Sequence, residues 1–291
     1  MKETVESLSI DSAERVWGAR RRPMLEADAA FTGSIPESYD TYLVPFLFAP
    51  YARELTARVV RLGPSSVLEI AAGTGVVTRD LSRALPDATI VSTDFNAAMI
   101  DRARSVGAGP NVTFAQADAM ALPFDNAHFD VVVCQFGIMF FSDRGAAFAE
   151  ARRVLRPGGT FIASVWAGIE DNDASRIVAA VVARAFPIDP PTFLQRTPHG
   201  HGDPVAIERD LRAAGFIHVA CDDVAERSYA VDASGVARGF IEGSPLRAEI
   251  VARDPSALTT IVAELERALI ASLGTPLDGA LRAFVCRATR E

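Results

Sequence analysis

The chain has 291 residues, 49% of them hydrophobic and 23% charged, with a formal net charge of -8 and three cysteines. That length and balance fit a soluble globular protein with a sizeable core, either one large domain or a core with an appendage. The acidic surplus argues against a broad phosphate-binding surface, which needs clustered Lys and Arg, so small molecules rather than nucleic acid are the expected partners. No apolar run approaches the roughly 18 residues that cross a bilayer. The opening MKETVESLSIDSAERVW is polar and unlike a signal peptide, so the expectation is a cytoplasmic protein without a membrane span. Cys134, Cys221 and Cys286 lie far apart without a Cys-x-x-Cys pair. They are expected as plain buried or half-buried thiols rather than a disulfide framework or a zinc site.

In chain order the basic cluster Arg20-Arg21-Arg22 comes first. With Pro23 after it and Glu14, Glu26 and Asp28 around it, it reads as a solvated helix end. Residues 39–62 carry Tyr42, Leu43, Phe46 and Leu47 ahead of a predicted helix over 49–61, apolar enough to cover a ligand site. From about 64 to 166, short β-branched or apolar runs alternate with helical stretches, the pattern of a parallel sheet covered by helices. The runs are 66–70, 89–94, 112–116, 129–135 and 160–166. Val77, Leu81 and Leu85 recur at a spacing of four, which predicts a helix over 76–85 that Pro86 and Asp87 stop. Asn96 caps a second helix over 96–106, and a third over 144–155 ends at Arg156-Pro157-Gly158-Gly159. Beyond Trp166 the sequence to about 202 mixes Asp, Pro and Phe. Then 203–214 reads as helix, 216–231 as extended, 233–252 and 256–273 as helix-prone, and 283–289 as a last strand. About fifty residues separate the last two strands, too many for a hairpin loop unless they form helices of their own, expected to cap the substrate side.

The stretch Val67-Leu68-Glu69-Ile70-Ala71-Ala72-Gly73-Thr74-Gly75-Val76-Val77-Thr78 carries an acid near the end of an apolar run and then two glycines. After a buried strand, glycine lets the backbone turn sharply and lets a ligand approach without meeting a Cβ. The helix that follows presents free N–H groups above the turn. Asp94 stands twenty-one residues after Gly73, at the end of the next apolar run, where it can accept both hydroxyls of a ribose. A dinucleotide turn would have a third glycine where Thr78 stands, so that the helix packs closely on the strand. Glu69 would also set a carboxylate against a pyrophosphate, whereas an amino group suits it. A ligand with a ribose at one end and an ammonium at the other is S-adenosylmethionine. Asp118, in Gln116-Ala117-Asp118-Ala119-Met120, can accept from an adenine amino group while the next N–H donates to a ring nitrogen; its other reading is a cap on the following turn. Gln135, Phe136 and Gly137, at the end of the fourth run, would line the floor under the methionine part.

Four stretches in order, VLEIAAGTG, VSTDFNAAMI, AQADAMALPFDNAHFDVVVCQFGIMFF and EARRVLRPGGTFIASVW, resemble the class I S-adenosylmethionine-dependent methyltransferases. Within that family they are most similar to the bacterial small-molecule group that includes the ubiquinone and menaquinone C-methylating enzymes. The resemblance covers about residues 36–166 well. It implies an α/β fold: a doubly wound, seven-stranded mixed sheet, its last strand antiparallel and inserted beside the sixth, with helical cap insertions. It assigns Glu69, Ala71, Gly73 and Gly75 to the methionine-side loop, Asp94 to the ribose, and Phe95 with Met99 to contacts around the adenosine. It also gives Asp118 and Ala119 to the adenine and Gln135 to the amino-acid end. The family commonly has glycine where Ala71 stands. Residues 31–43 look like the lid of such enzymes, with Tyr39 a candidate partner for the cofactor carboxylate; the other reading of Tyr39 and Tyr42 is an aromatic helix packed on the core. The organisation implied is an N-terminal lid with helices over 1–62 and a Rossmann-like core over 63–291, with cap insertions at about 167–202 and 233–273.

Methyl transfer from a sulfonium is an in-line displacement whose activation the cofactor carries, so the protein aligns a nucleophile and excludes water, and no catalytic side chain is assigned. His199-Gly200-His201-Gly202-Asp203 lacks an accepted ligand spacing, so no metal is expected and the loop reads as substrate-side. His128 reads as an exposed turn residue, and Glu170, Asp171 and Asp173 as a solvated acidic loop. The lid at 31–46, the 167–202 segment and the 233–273 helices would form the substrate pocket. Phe136, Phe140, Phe141, Trp166, Phe186, Phe193 and Phe240 make those parts aromatic. The expected function is S-adenosylmethionine-dependent C-, O- or N-methylation of a small, largely apolar or aromatic metabolite. A nicotinamide-dependent reductase and a noncatalytic S-adenosylmethionine-binding protein are the alternatives, and methylation of RNA or protein is disfavoured by the acidic balance. The acceptor, and whether the chain is a monomer or a homodimer, stay open.

Overall fold

A helical arm leads into the sheet in the computed structural model, which describes Phe31 and residues 33–291. The Arg20-Arg21-Arg22 cluster, its acidic neighbours and Thr32 lie outside the described residues. The arm consists of α1, Ile35–Ser38, a π-helical segment, Tyr39–Phe48, and α2, Ala49–Val60. Pro45 lies inside the π-helical part and has no N–H to give to the α-helical ladder.

The next five strands alternate with helices, as the apolar runs predict, except that β4 follows β3 without one: β1 Ser66–Glu69, α3 Val76–Ala84, β2 Thr89–Asp94, α4 Ala97–Val106, β3 Val112–Gln116, β4 Phe129–Gln135, α5 Arg144–Val154 and β5 Leu155–Trp166. Then come α6 Asp173–Ala185, α7 Phe193–Arg196, α8 Pro204–Ala213, β6 Ile217–Ala230, α9 Ala233–Glu242, α10 Leu246–Arg253, α11 Leu258–Leu273 and β7 Leu277–Thr289. The seven strands form one sheet in the order β3-β2-β1-β4-β5-β7-β6. β1 to β5 run parallel, and β7 is antiparallel to both β5 and β6. The sheet has the doubly wound mixed topology expected, with β7 inserted between the fifth and sixth strands.

Side chains of β4 go alternately to the two faces, as the period of a strand requires. Val131 and Val133 pack with Leu55 and Val59 of α2 and Leu81 of α3. Val132 and Cys134 belong to the larger core with Phe148 of α5 and Phe161 of β5. Each fully buried side chain of this size contributes roughly 2 kcal/mol.

The structure extends the last predicted strand and adds a helix. β7 begins at Leu277 rather than 283, because Leu277, Gly279, Leu281 and Ala283 alternate inward against Asp278, Ala280 and Arg282 outward. α6 fills part of the segment read as mixed: Ile177, Val178, Val181 and Val182 make one buried helical face. Three helices and a short 3-10 turn span the gap between β6 and β7. α9 meets the π-helical segment along Gly235, Gly239 and Gly243: a Cβ at Gly235 would lie 2.6 Å from the Tyr42 ring, and one at Gly239 2.7 Å from the Tyr42 Cβ. Tyr42 is thus a packing residue of the arm, with Arg238 over its ring at 5.6 Å.

The cysteine expectation is corrected in part. Cys221 and Cys286 form a disulfide, since the antiparallel register of β6 on β7 sets them directly opposite each other. Cys134 is a free buried thiol, whose pKa burial pushes up.

Asp130 at the start of β4 ties three strands together at the edge of the sheet away from the Gly-rich turn. Its Oδ2 accepts from the Ser65 and Ser66 N–H groups at 2.9 and 3.0 Å and from the Ser65 hydroxyl at 2.7 Å, and Arg156 of β5 pairs with Oδ1 at 2.6 Å. At the other edge, Gly137 after β4 presses on Ala71 after β1: a Cβ at Gly137 would stand 2.5 Å from the Ala71 Cβ and 2.7 Å from the Cys134 sulfur.

Two stability measurements check these contacts. Burial alone would raise the Asp130 pKa, but the Ser65, Arg156 and Ser66 bonds bring it down to about 2 from 3.8. The stability it adds is therefore complete above the unfolded value of 3.8 and is lost as the pH falls through about 2. Thermal melts should show Asp130→Asn well below wild type at pH 6, with the gap closing toward pH 2. Gly137→Ala should cost about 1–3 kcal/mol by overpacking. Adding Ala71→Gly should recover part of that loss in denaturant titrations, because it removes one of the two atoms that the new methyl meets.

Candidate functional site

The parallel strands end together on one edge of the sheet, and a cavity of about 590 Å³ opens there. Its floor is the turn after β1. Ala71, Gly73 and Gly75 all lie at positive φ, 53°, 57° and 83°. Alanine adopts that conformation at a cost of roughly 1–2 kcal/mol. The turn is closed by Asp94 at the end of β2, whose Oδ2 accepts from the Gly73 N–H at 2.8 Å while Oδ1 accepts from the Asn96 N–H at 2.8 Å. Burial raises the Asp94 pKa, and these two bonds oppose it.

Beneath the turn lies a buried polar cluster. Thr78 donates to Glu69 Oε2 at 2.5 Å and shares a 2.9 Å hydrogen bond with Ser92. Burial pushes the Glu69 pKa up to about 8, with the Thr78 bond and the Arg79 charge acting the other way. The position that a pyrophosphate-binding turn gives to its third glycine is thus taken by a side chain that holds Glu69.

The helical arm closes over the turn through one carboxylate. Asp40 accepts from the Thr74 hydroxyl at 2.9 Å and from Arg102 of α4 at 3.1 Å, and it pairs with Arg79 of α3 at 3.5 Å. Arg79 also donates to the Thr74 carbonyl at 2.6 Å. Tyr39, next to Asp40, lines the cavity, and burial with the charges of Asp94 and Asp40 raises its pKa.

Ten of the eleven expected cofactor residues line this cavity: Tyr39, Glu69, Ala71, Gly73, Asp94, Phe95, Met99, Asp118, Ala119 and Gln135. Gly75, in the same turn, does not line it. It caps α3 in the left-handed region, where a Cβ would sit 3.4 Å from the Ala103 Cβ, so its role is in the turn and in the packing of α3 on α4. Asp118 caps the following turn, Oδ1 accepting from the Met120 N–H at 2.8 Å, and the residue also lines the cavity. Sequence reasoning missed Asp40, Thr74, Phe48 and Asn96. The partners of Asp40 lie 34, 39 and 62 residues away, and no spacing rule marks them.

A second, smaller space of about 80 Å³ adjoins the first and shares Phe31, Tyr39, Phe48, Phe136 and Phe140 with it. Its wall includes Trp166, Phe193, His199 and Phe240. Phe136 and Trp166 stack at 3.8 Å with an interplanar angle of 3°. The structure corrects two substrate-side expectations: Phe141 lines the larger cavity, and Phe186, packed against the core, lines neither. The acidic loop is not simply solvated. Asp171 pairs with Arg282 of β7 at 3.1 Å, and Asp173 accepts from the Ala280 N–H at 2.8 Å. His128 is exposed, as expected. Among the described residues no cluster of three or more His, Cys, Asp or Glu could hold a metal, and no helix is long and apolar enough to cross a membrane.

The residues fit S-adenosylmethionine on two counts. Gln135 Nε2 donates to the Phe48 carbonyl at 3.1 Å, but its buried Oε1 has no partner among the described residues and awaits a donor. At Gly73 nothing lies within 4 Å of where a Cβ would stand, so the backbone there is open to a ligand.

Comparison with known proteins agrees. Residues 67–159 match a methyltransferase domain family. A ubiquinone/menaquinone biosynthesis C-methyltransferase, UbiE, of Hahella chejuensis is 44% identical over 108 residues, 35% of this chain and 43% of that protein. A demethylmenaquinone methyltransferase of Deinococcus radiodurans is 36% identical over 114 residues, 38% of this chain and 47% of that protein. The chain spans about half the length of the curated relatives it matches. Among solved structures, the YcgJ protein of Bacillus subtilis aligns with a TM-score of 0.53 at 19% identity, covering 82% of this chain and 99% of that one. The phosphoethanolamine N-methyltransferase 2 of Haemonchus contortus, solved with S-adenosyl-L-methionine, aligns at 0.55 and 16%, covering 88% and 57%; both show the fold. Residues 67–159, with the strand order, the Gly-rich turn and the acid that closes it, are thus similar to a methyltransferase domain built on a doubly wound sheet.

Proposed function

We propose that the chain transfers a methyl group from S-adenosylmethionine to a small, largely apolar or aromatic metabolite. The observation that carries this reading is the aromatic chamber adjoining the cofactor cavity, with five residues common to both walls. The bound cofactor would supply a sulfonium methyl already activated for displacement. The chain's own task is then to bind, align and exclude water.

In this reading Asp94 accepts from the ribose hydroxyls, Asp118 and Ala119 hold the adenine, and Phe95 with Met99 flanks the adenosine. Gln135 Oε1 and Glu69 receive the ammonium, directly or through water, and Tyr39 receives the carboxylate. Ala71, Gly73 and Gly75 form the methionine-side loop. Of the N-terminal unit expected over 1–62, residues 1–30 and 32 lie outside the described residues, and the described arm acts as lid and helices to a core over 63–291, supported by the Asp40 clamp between the arm and α3 and α4. The net charge of -8 supports a small-molecule substrate rather than a nucleic-acid partner.

Isothermal titration with S-adenosylhomocysteine tests the cofactor half. Asp94→Ala should weaken binding about 10- to 100-fold, the worth of hydrogen bonds to a charged group. Equal affinity for the two proteins would refute the ribose role, and no binding by wild type would refute the reading. Glu69, with a pKa of about 8, carries its proton at pH 7. An ammonium beside it favours the ionised form, so binding should release about one proton, and affinity should rise between pH 6 and 8. Titrations in buffers of different ionisation enthalpy should show that release in wild type and its absence in Glu69→Gln. Formation of S-adenosylhomocysteine across a metabolite panel tests the acceptor half.

A further inference from the structure

The His199-Gly200-His201-Gly202 loop takes no part in the cofactor cavity, yet it is built to fit closely. A Cβ at Gly202 would stand 2.2 Å from the Trp166 carbonyl oxygen at the end of β5, and one at Gly200 would stand 2.1 Å from that of Arg196. Only glycine allows the loop to lie there. The His199 N–H donates to the Leu194 carbonyl at 3.0 Å, and its Nδ1 lies 2.9 Å from the Ala167 carbonyl oxygen. A carbonyl only accepts, so Nδ1 is the donor and carries the ring proton.

Burial pushes the His199 pKa down to about 4, against the opposing Ala167 bond and the Asp171 charge, so the ring is neutral at pH 7. A neutral ring protonated at Nδ1 leaves Nε2 as a bare acceptor. Among the described residues no donor engages it.

The ring lines the small aromatic chamber, 6.0 Å from Trp166 between ring centroids. The other side chains with a polar atom on that wall are Tyr39, Ser175, Ser244 and Trp166, whose indole N–H can only donate, and the Ser244 hydroxyl is already given to the Phe240 carbonyl at 2.7 Å. The chamber measures about 80 Å³. A water takes roughly 10–15 Å³ on that scale, so about six non-hydrogen atoms fit, the size of one ring.

We propose that His199 recognises the methyl acceptor, its Nε2 accepting a hydrogen bond from an O–H or N–H carried on a single ring seated in this chamber. The proposal rests on the methyl-transfer reading and assigns the specificity of its acceptor side. A ring without a donor would leave Nε2 desolvated and unpaired, which is how a buried polar group discriminates between isosteres.

The test is isothermal titration of phenol and of toluene, near-isosteres, into the full chain saturated with S-adenosylhomocysteine. Phenol should bind about tenfold more tightly than toluene, the worth of one hydrogen bond. His199→Asn puts an amide where Nδ1 stood, able to keep the Ala167 bond, but has nothing at Nε2; it should bind the two probes equally. His199→Gln restores a polar group at the Nε2 position and should regain part of the preference. Equal affinities in wild type, no binding of either probe, or an unchanged preference in His199→Asn would overturn the proposal. The wild-type comparison decides even where a variant fails to fold. A chain that binds no S-adenosylhomocysteine fails the methyl-transfer reading itself, whereas one that binds it and ignores the phenol hydroxyl fails this proposal alone.

Discussion

The hydrogen bond from the Gly73 N–H to Asp94 Oδ2, 2.8 Å long, is the contact on which the site depends. It joins the end of β2 to a turn that must run through the left-handed region at Ala71, Gly73 and Gly75 before α3 can begin. That turn decides where the backbone lies open to a ligand and where the first N–H groups of α3 point. The buried Thr78, Glu69 and Ser92 cluster supports it from below, and Asp40 holds the helical arm over it from above. A small patch of backbone, gripped on both sides by carboxylates, therefore fixes the floor and the cover of one cavity.

The fold delivers the remaining walls without special devices. Parallel strands end on one edge, so the residues after β1, β2, β3 and β4 converge whatever the loops contain. The close approach of Gly137 to Ala71 brings the ends of β4 and β1 into contact. The aromatic chamber is built differently, from the arm, the loop after α7 and the helix α9, elements far apart in the chain. Variation in those elements can reshape the chamber while leaving the turn and Asp94 alone.

Much of this was legible in the sequence. The alternation of apolar runs with helical spacing gave five parallel strands, and the spacing from Gly73 to Asp94 gave the cofactor edge, because both follow from short-range periodicity. β7 was read short, although the alternation of Leu277, Gly279 and Leu281 was there, since a glycine and an Arg obscured it. α6 was hidden among Asp, Pro and Phe residues at its borders. The Cys221–Cys286 pair needed the register of two strands about fifty residues apart, which no local pattern supplies. Asp40 was missed for the same reason, as its importance comes only from the three partners that the fold brings to it.

The measurement that bears most directly on this account is a crystal structure of the chain with S-adenosylhomocysteine. The account predicts the ligand in the larger cavity, its ribose hydroxyls on Asp94, its ammonium within reach of Gln135 Oε1 and Glu69, and its sulfur facing the aromatic chamber. A ligand bound elsewhere, or one in this cavity with the ribose away from Asp94, would contradict it.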